Sequence, residues 1–153
     1  MIRPAEPTDT EAVNELLDQL GYPQDDPAAT AARLKSWAND PTSAVLVDDA
    51  DGNLLGLVAV HVEPFVQMTG SSGRIVALVV SDQARRRGVA TRLMAAAEAF
   101  AVSQGCVRFE VTSSNYRTEA HQFYVGRGYV NQADRSSRFL RDAPPHSASG
   151  TTV

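Results

Sequence analysis

Cysteine is almost missing from this chain: Cys106 stands alone among 153 residues. A single thiol excludes an internal disulfide and is compatible with a reducing compartment. Within GCVRFEV it reads as a small core side chain rather than a nucleophile. Long apolar runs are missing too. No stretch reaches membrane-spanning length, and the opening MIRPAEPTDT lacks the apolar segment of a secretory leader. The expectation is a cytoplasmic protein with no membrane partner. Positive charge is also in short supply, with 14 Lys and Arg against 18 Asp and Glu and a formal net charge of -4. That balance argues against a nucleic-acid binder and favours cationic partners only weakly. The histidines His61, His121 and His146 do not cluster, and with one cysteine no metal-ligand spacing arises, so no metal is expected.

What is present is an ordinary globular composition, 43% hydrophobic and 21% charged, at a length that suits one domain. A short strand opens at IRPA. Val13, Leu16, Leu17 and Leu20 repeat at helical spacing and stop at Gly21. Asp26 and Pro27 start a second helix as cap and first residue. Two β-rich runs flank Asp51-Gly52, the signature of a hairpin. The unbroken apolar run in GRIVALVVSD predicts a central strand buried on both faces. A helix follows, with Leu93, Met94, Ala97, Phe100 and Ala101 on one face and Gly105 at its end. A strand with Val107, Phe109 and Val111 inward comes next, then a helix carrying Ala120, Phe123 and Tyr124. YVNQAD and SSRFLRDA read as two closing strands. The whole is one α/β domain over residues 1–143, with a polar tail at 144–153 expected to be disordered.

One stretch stands apart. QARRRGVATRLM places Arg85, Arg86, Arg87, Gly88 and Ala90 in front of a helix. A helix start offers unpaired N–H groups and the positive end of the dipole, and a glycine lets an anion approach the backbone. Thr91 adds a hydroxyl donor. The plain alternative is a solvated basic turn. Neither the Walker ending Gly-Lys-Ser/Thr nor G-x-G-x-x-G is present, so the residues alone leave a phosphate-like ligand after a strand.

The spacing R-x-x-G-x-A over Arg85, Gly88 and Ala90, after IVALVV and before an amphipathic helix, resembles the acetyl-CoA motif of the GNAT superfamily of N-acetyltransferases. SSNYRTEAHQFYVGRGYV resembles that family's closing segment, with Asn115, Ala120-His121, Phe123-Tyr124 and Gly128-Tyr129. The resemblance covers about Ile2 to Ala143 and extends to the order of elements. It implies a mixed, mostly antiparallel sheet of six to seven strands with about four helices, splayed at strands 4 and 5. Acetyl-CoA is the implied cosubstrate. Backbone N–H groups of Arg86, Arg87, Gly88, Ala90 and Thr91 would cradle its pyrophosphate, with Arg85 and Val89 in the same seat. Leu78, Val79 and Val80 would line the pantetheine arm as an added strand would, and the Leu78 N–H would face the thioester carbonyl. Asn115 would touch the pantetheine or the substrate side of the cleft, Phe123 would belong to the cofactor side, and Tyr124 would stand near the sulfur.

Acetyl transfer to an amine sets two proton problems: the amine must be neutral to attack, and the departing thiolate must be protonated or stabilised. Tyr124 is the candidate general acid; its bland reading is a core aromatic beside Phe123. For the base the sequence departs from the family. Many members carry a carboxylate on the strand before the anion seat, and this strand reads Arg74, Ile75, Val76, Ala77. His61 and Glu63, on one face of the preceding strand by alternation, are the candidate bases, with exposure at a strand end as the alternative. Glu110 is a weaker candidate, since cross-strand pairing would explain it. Deprotonation through ordered water needs no base residue.

The implied activity is transfer of acetyl to a primary amine, most simply of a small molecule, by direct attack in a ternary complex. A CoA- or acyl-CoA-binding sensor that has lost catalysis is the competing reading, kept open by the missing strand carboxylate. Nucleic-acid binding through the arginines is disfavoured, because the triplet is short and no aromatic residues interleave it. LGYPQDDPAAT and HVEPFVQMTGSSG would set acceptor choice, with Asp25, Asp26, Phe65 and Met68 as candidates. EAHQFY resembles small-molecule acetyltransferases, aminoglycoside-modifying ones included, while polyamines, amino acids and protein N-termini stay open. Homodimers are common in the family, and SRFLRDA is a candidate edge strand for pairing.

Overall fold

Pro27 has no N–H to lose and occupies the first position of a helix, while the Asp26 side chain accepts from the N–H groups of Ala28 and Ala29 at 3.1 and 3.3 Å. The cap and proline read from the sequence thus start α2 (Pro27–Asn39). In the computed structural model, which describes residues 1–145, the chain forms two compact units, Met1–Thr112 and the residues from Ser113 on. Each unit is taken by itself.

The first unit opens with β1 (Ile2–Pro4) and α1 (Thr10–Leu20). Gly21, at φ 106°, ends α1 in the left-handed conformation that favours glycine. After α2, β2 (Ser43–Ala50) and β3 (Asn53–Pro64) form the expected hairpin. Its two turn residues, Asp51 and Gly52, have φ 53° and 89°, the pair of positive angles that matches the twist of the flanking strands. Then come β4 (Ser71–Val80), α3 (Val89–Ser103) and β5 (Cys106–Val111). The five strands make one sheet in the order β1-β2-β3-β4-β5. Every neighbouring pair is antiparallel except β4 and β5, which are parallel and are therefore joined by a crossover, here α3.

Strand alternation sorts the side chains onto two faces. One face carries Val47, Leu57 and Val79 in register across β2, β3 and β4 and packs with Val13 and Leu16 of α1 and Leu34 of α2. On the other face lies α3, with Leu93, Met94, Ala97 and Ala101 fully buried. Glycines let it approach closely. A Cβ on Gly56 would lie 2.9 Å from Leu93 Cδ1, and one on Gly73 would lie 2.7 Å from the Ala101 Cβ.

Several expectations need correction. Among the described residues there are five strands, not six to seven, because neither YVNQAD nor SSRFLRDA pairs. The polar groups of the first turn it back on itself: Asn131 Oδ1 accepts from the Ala133 N–H, and the Gln132 carbonyl accepts from Arg135 and Ser136. In the second, Phe139 and Leu140 are adjacent, so alternation would send them to opposite faces, and they are 91% and 75% exposed. β4 is not buried on both faces, since it lies next to the sheet edge and Val76 is half exposed. On β5, Val107 does not point inward; it is 61% exposed and lies over Gly70, whose added Cβ would meet it at 2.9 Å. Cys106 is half-buried. From residue 146 on, the expected tail and His146 lie outside the described residues.

The second unit holds α4 (Thr118–Gly126), which ends on a bond from the Gly128 N–H to the Val125 carbonyl at 3.0 Å, with Gly128 at φ 94°. The expected helix over RTEAHQFYVGRG is there.

One charged group lies in the core. Asp48 is buried, and its Oδ2 accepts from Arg92 Nε and Nη2 at 3.0 and 2.8 Å, while Met1 N lies 3.1 Å from Oδ1. Burial alone would raise this carboxyl, but the hydrogen bonds from Arg92 and the Met1 amino group outweigh it and hold it below the ordinary carboxylate value. A depressed folded value means that the stabilisation is present above the unfolded value, about pH 4, and is lost as pH falls through the folded one. Asp48→Asn is expected to lower stability by roughly 2 kcal/mol at neutral pH, read by urea unfolding, with the gap to the parent closing in acid. A gap that persists unchanged in acid would mean that packing, not charge, holds this site.

Candidate active site

β4 and β5 pair in parallel from Ser71 and Cys106 to Ile75 and Val111, and there the pairing stops. β4 continues through Val76, Ala77, Leu78, Val79 and Val80 with β3 on one side only. At the parting point Val76 is a bulge: Val60 faces Ile75 and Ala59 faces Ala77, which leaves Val76 as the extra residue. β5 itself ends at Val111, so β4 beyond Ile75 has no strand of this sheet beside it on that edge. The open edge is five residues long, or roughly 16 Å at strand rise. Along it Val79 is buried and Leu78 and Val80 are half-buried.

The far end of that edge leads into the loop before α3. Buried Ala84 and Val89 anchor the loop, and Arg85, Arg86, Arg87 and Gly88 between them are exposed. Arg86 and Gly88 have φ 63° and 77°, while Arg87 between them does not have a positive angle. Alternation of this kind turns successive N–H groups toward one concave side. An arginine at positive φ is strained by about 1–2 kcal/mol, a cost that tends to be found at working sites. The Arg92 N–H donates to the Gly88 carbonyl at 3.1 Å. The N–H groups of Val89, Ala90 and Thr91 precede that bond and have no intrahelical acceptor. Arg92 Nη1 also donates to the Arg87 carbonyl at 3.0 Å, so the side chain that pairs with Asp48 also holds the loop. Arg85 pairs with Asp82 at 2.7 Å. Val89 turns its side chain into the core and keeps only its backbone available.

The near end of the edge opens onto a cleft of about 370 Å³ lined by Ser36, Trp37, Asp40, Ser43, His61, Glu63, Arg74 and Val76. Register explains the grouping. Ser43 faces His61 across β2 and β3, His61 faces Arg74 across β3 and β4, and Arg74 faces Glu110 across β4 and β5. Asp40 closes the row from the end of α2. Hydrogen bonds from the Thr42 hydroxyl, at 2.7 Å, and then from its N–H hold the Asp40 carboxyl below the usual carboxylate range. The Ser43 hydroxyl lies 3.0 Å from Asp40 Oδ2 and 2.8 Å from His61 Nδ1. Arg74 is paired with Glu110 at 3.0 Å and reaches the Thr112 hydroxyl at 3.2 Å. Both candidate bases, His61 and Glu63, therefore lie in one cleft, and Glu110 is occupied by Arg74. The expected acceptor residues fare differently. Asp26 is a helix cap, Phe65 lies under the Arg108 guanidinium at 5.2 Å, and Asp25, Phe65 and Met68 do not line the cleft.

In the second unit Asn115 is exposed in the turn before α4, where the Arg117 N–H donates to the Ser114 carbonyl at 3.0 Å. Phe123 and Tyr124 meet edge to face with centroids 5.5 Å apart, and Tyr129 lies 5.9 Å from Tyr124 on its other side. Burial pushes the Tyr124 phenol above its ordinary value, against a smaller opposing effect of the Arg117 charge. His121 Nε2 lies 3.0 Å from the Ser114 carbonyl.

Sequence reasoning missed Asp40, Ser43, Trp37 and Arg92. The available signal was the run DPTS at residues 40–43, a hydroxyl-rich turn after a helix. Among the described residues no group of three or more His, Cys, Asp or Glu could hold a metal ion, and no helix is long and apolar enough to cross a membrane.

A mixed five-stranded sheet with helices on both faces, its one parallel pair joined through a crossover helix, defines an α/β protein. The model of the acetyltransferase (GNAT) family matches residues 10–129, and the chain belongs to that family. The chain is 26% identical to an aminoalkylphosphonate N-acetyltransferase of Salmonella typhimurium, over 91% of this chain and 90% of the relative. It is 24% identical to an aminoglycoside N(6')-acetyltransferase of Klebsiella aerogenes, over 87% and 91%. In fold it is similar to AAC(6')-Iy, solved with the bisubstrate analogue CoA-S-monomethyl-acetylneamine, at TM-score 0.79 and 22% identity over 94% and 98% of the two chains.

The loop geometry makes a direct prediction. Gly88→Ala places a Cβ at a left-handed residue, 3.3 Å from Arg92 Nη1, and is expected to cost about 1–2 kcal/mol in urea unfolding. An unchanged midpoint would show that the loop does not require that conformation.

Proposed function

We propose that this enzyme transfers the acetyl group of acetyl-CoA to a primary amine of a small cationic molecule by direct attack in a ternary complex. One observation carries the reading: a single open strand edge, Val76 to Val80, runs from a cleft holding His61 and two carboxylates to the exposed amides at the start of α3.

The pyrophosphate would rest on the amides of Arg86, Arg87, Gly88, Val89, Ala90 and Thr91, with the field of the arginines and of the helix dipole behind it. Arg85, already paired with Asp82, contributes the least. The pantetheine arm would follow Leu78, Val79 and Val80, with the Leu78 N–H donating to the thioester oxygen as negative charge develops there. Asn115 and Phe123 complete the cofactor side. In the cleft, the carboxylates of Asp40 and Glu63 favour a cationic acceptor. His61 takes the proton that the amine must lose, with Glu63 as the second candidate. The amine nitrogen then forms its bond to the carbonyl carbon as the carbon–sulfur bond breaks. Tyr124 returns a proton to the sulfur, and its burial favours this role because the phenol stays protonated at neutral pH. The names of the two N-acetyltransferase relatives, which specify small amines, support the substrate class.

Calorimetric titration with acetyl-CoA, beside ATP, tests the seat. Saturable binding of acetyl-CoA and not ATP is expected, and Gly88→Glu is expected to abolish it in a folded protein; unchanged affinity in the variant would place the cofactor elsewhere. Tyr124→Phe is expected to lower kcat roughly 100-fold with little change in acetyl-CoA affinity. Equal turnover would leave Tyr124 a packing residue.

A further inference from the structure

The cleft contains a chain of contacts with a definite proton direction. Ser43 Oγ touches an acceptor-only carboxylate, Asp40 Oδ2, at 3.0 Å and a ring nitrogen, His61 Nδ1, at 2.8 Å. A hydroxyl has one proton to give. If that proton went to His61, an oxygen lone pair would face the carboxylate oxygen at hydrogen-bond distance with nothing between them. Directed at Asp40, it satisfies the carboxylate and leaves the hydroxyl oxygen free to accept from the ring. Nδ1 must then carry a hydrogen.

We propose that Asp40 and Ser43 are positioning residues that lock His61 in the Nδ1–H tautomer, so that the Nε2 lone pair is the one offered to the acceptor amine. The bond made by one ring nitrogen of a histidine decides the state of the other, and an unconstrained side chain in water favours the opposite, Nε2–H, tautomer. Asp40 suits this role because its Oδ1 already accepts from the Thr42 hydroxyl and N–H at 2.7 and 2.9 Å, which leaves Oδ2 for Ser43. Ser43 is not set up as an imidazole-activated nucleophile here, since its proton is directed at Asp40 and not at His61. The charged groups around the ring are Asp40 from α2, Glu63 on β3, Arg74 opposite on β4, and Glu110 of β5, which pairs with Arg74. The inference rests on the reading of His61 as the base, but its central claim is about the free protein.

Long-range ¹H–¹⁵N correlation spectra of the full chain, recorded where His61 is neutral, read the tautomer directly. Nδ1–H is expected for His61 in the parent, with a shift toward Nε2–H in Ser43→Ala. Nε2–H in the parent, or Nδ1–H unchanged in Ser43→Ala, would overturn the proposal. Turnover of acetyl-CoA with kanamycin or aminomethylphosphonate gives the second readout. Ser43→Ala is expected to lower kcat about tenfold with KM for acetyl-CoA unchanged, and Ser43→Thr, which keeps the hydroxyl, to restore it. A Thr variant as slow as Ala would count against a hydroxyl role. His61→Gln separates the two claims: full activity in it would remove His61 as base while the tautomer read in the parent stands, whereas Nε2–H in the parent with His61→Gln inactive would overturn only the positioning role of Asp40 and Ser43.

Discussion

The point at which β4 and β5 stop pairing governs the rest of this structure. Parallel strands cannot be joined by a tight turn, so their pairing obliges the chain to cross over through α3. A crossover helix starts beyond the C-terminal end of the strand before it, which places the positive end of α3 past Val80. Because pairing ends at Ile75 and Val111, the strand between that point and the helix presents an unpaired edge. The bulge at Val76 belongs to the β3–β4 ladder and sits one residue beyond the last β4 residue that pairs with β5. The open edge and the place where α3 starts are thus consequences of one pairing, and a continuous β4–β5 ladder would close the edge.

The seat itself is a strained object held by its surroundings. Arg86 sits at a positive φ that an L side chain resists, and the first amides of α3 lack partners. Two fixed points hold this against relaxation. Ala84 and Val89 are buried on either side of the loop, and Arg92 bonds at once to the Arg87 carbonyl and to buried Asp48 on β2. The ion pair matters less as a source of stability, since desolvation of Asp48 offsets much of its attraction. Its effect is to fix where a carbonyl of the loop points, and through that where the neighbouring amides point.

What could be read from the residues, and what could not, divides along physical lines. Caps and turns are local, so Asp26-Pro27, Gly21 and Asp51-Gly52 each appear in the structure as their chemistry dictates. The start of α3 was legible for the same reason, being a glycine and small residues ahead of an amphipathic run. Register is not local. A regular hairpin from the Asp51-Gly52 turn would set Ser43 opposite Val60; the irregularity between Asp48 and Asp49 moves the pairing by one and sets it opposite His61. Nothing in the sequence announces that shift, and without it Asp40, Ser43 and His61 do not form a row. The missing closing strands have a related cause. A strand needs a partner ladder as well as β-forming residues, and in YVNQAD the side chain of Asn131 captures a backbone N–H that a ladder would need.

The two ends of the open edge carry opposite electrostatics, and the separation suits the proposed chemistry. Three arginines and a helix N-terminus lie at one end, and Asp40 and Glu63 at the other. Arg74, the cation inside the cleft, is bonded to Glu110 and so does little to offset those carboxylates. An anionic carrier and a cationic acceptor would each be drawn to its own end and repelled from the other, which leaves only the neutral thioester and the amine to meet between them. A carboxylate on β4 itself would stand on the proposed path of the carrier. Carrying the acidic groups at the end of α2 and on β3 keeps that path free of negative charge, with the His61 imidazole beside them in the cleft.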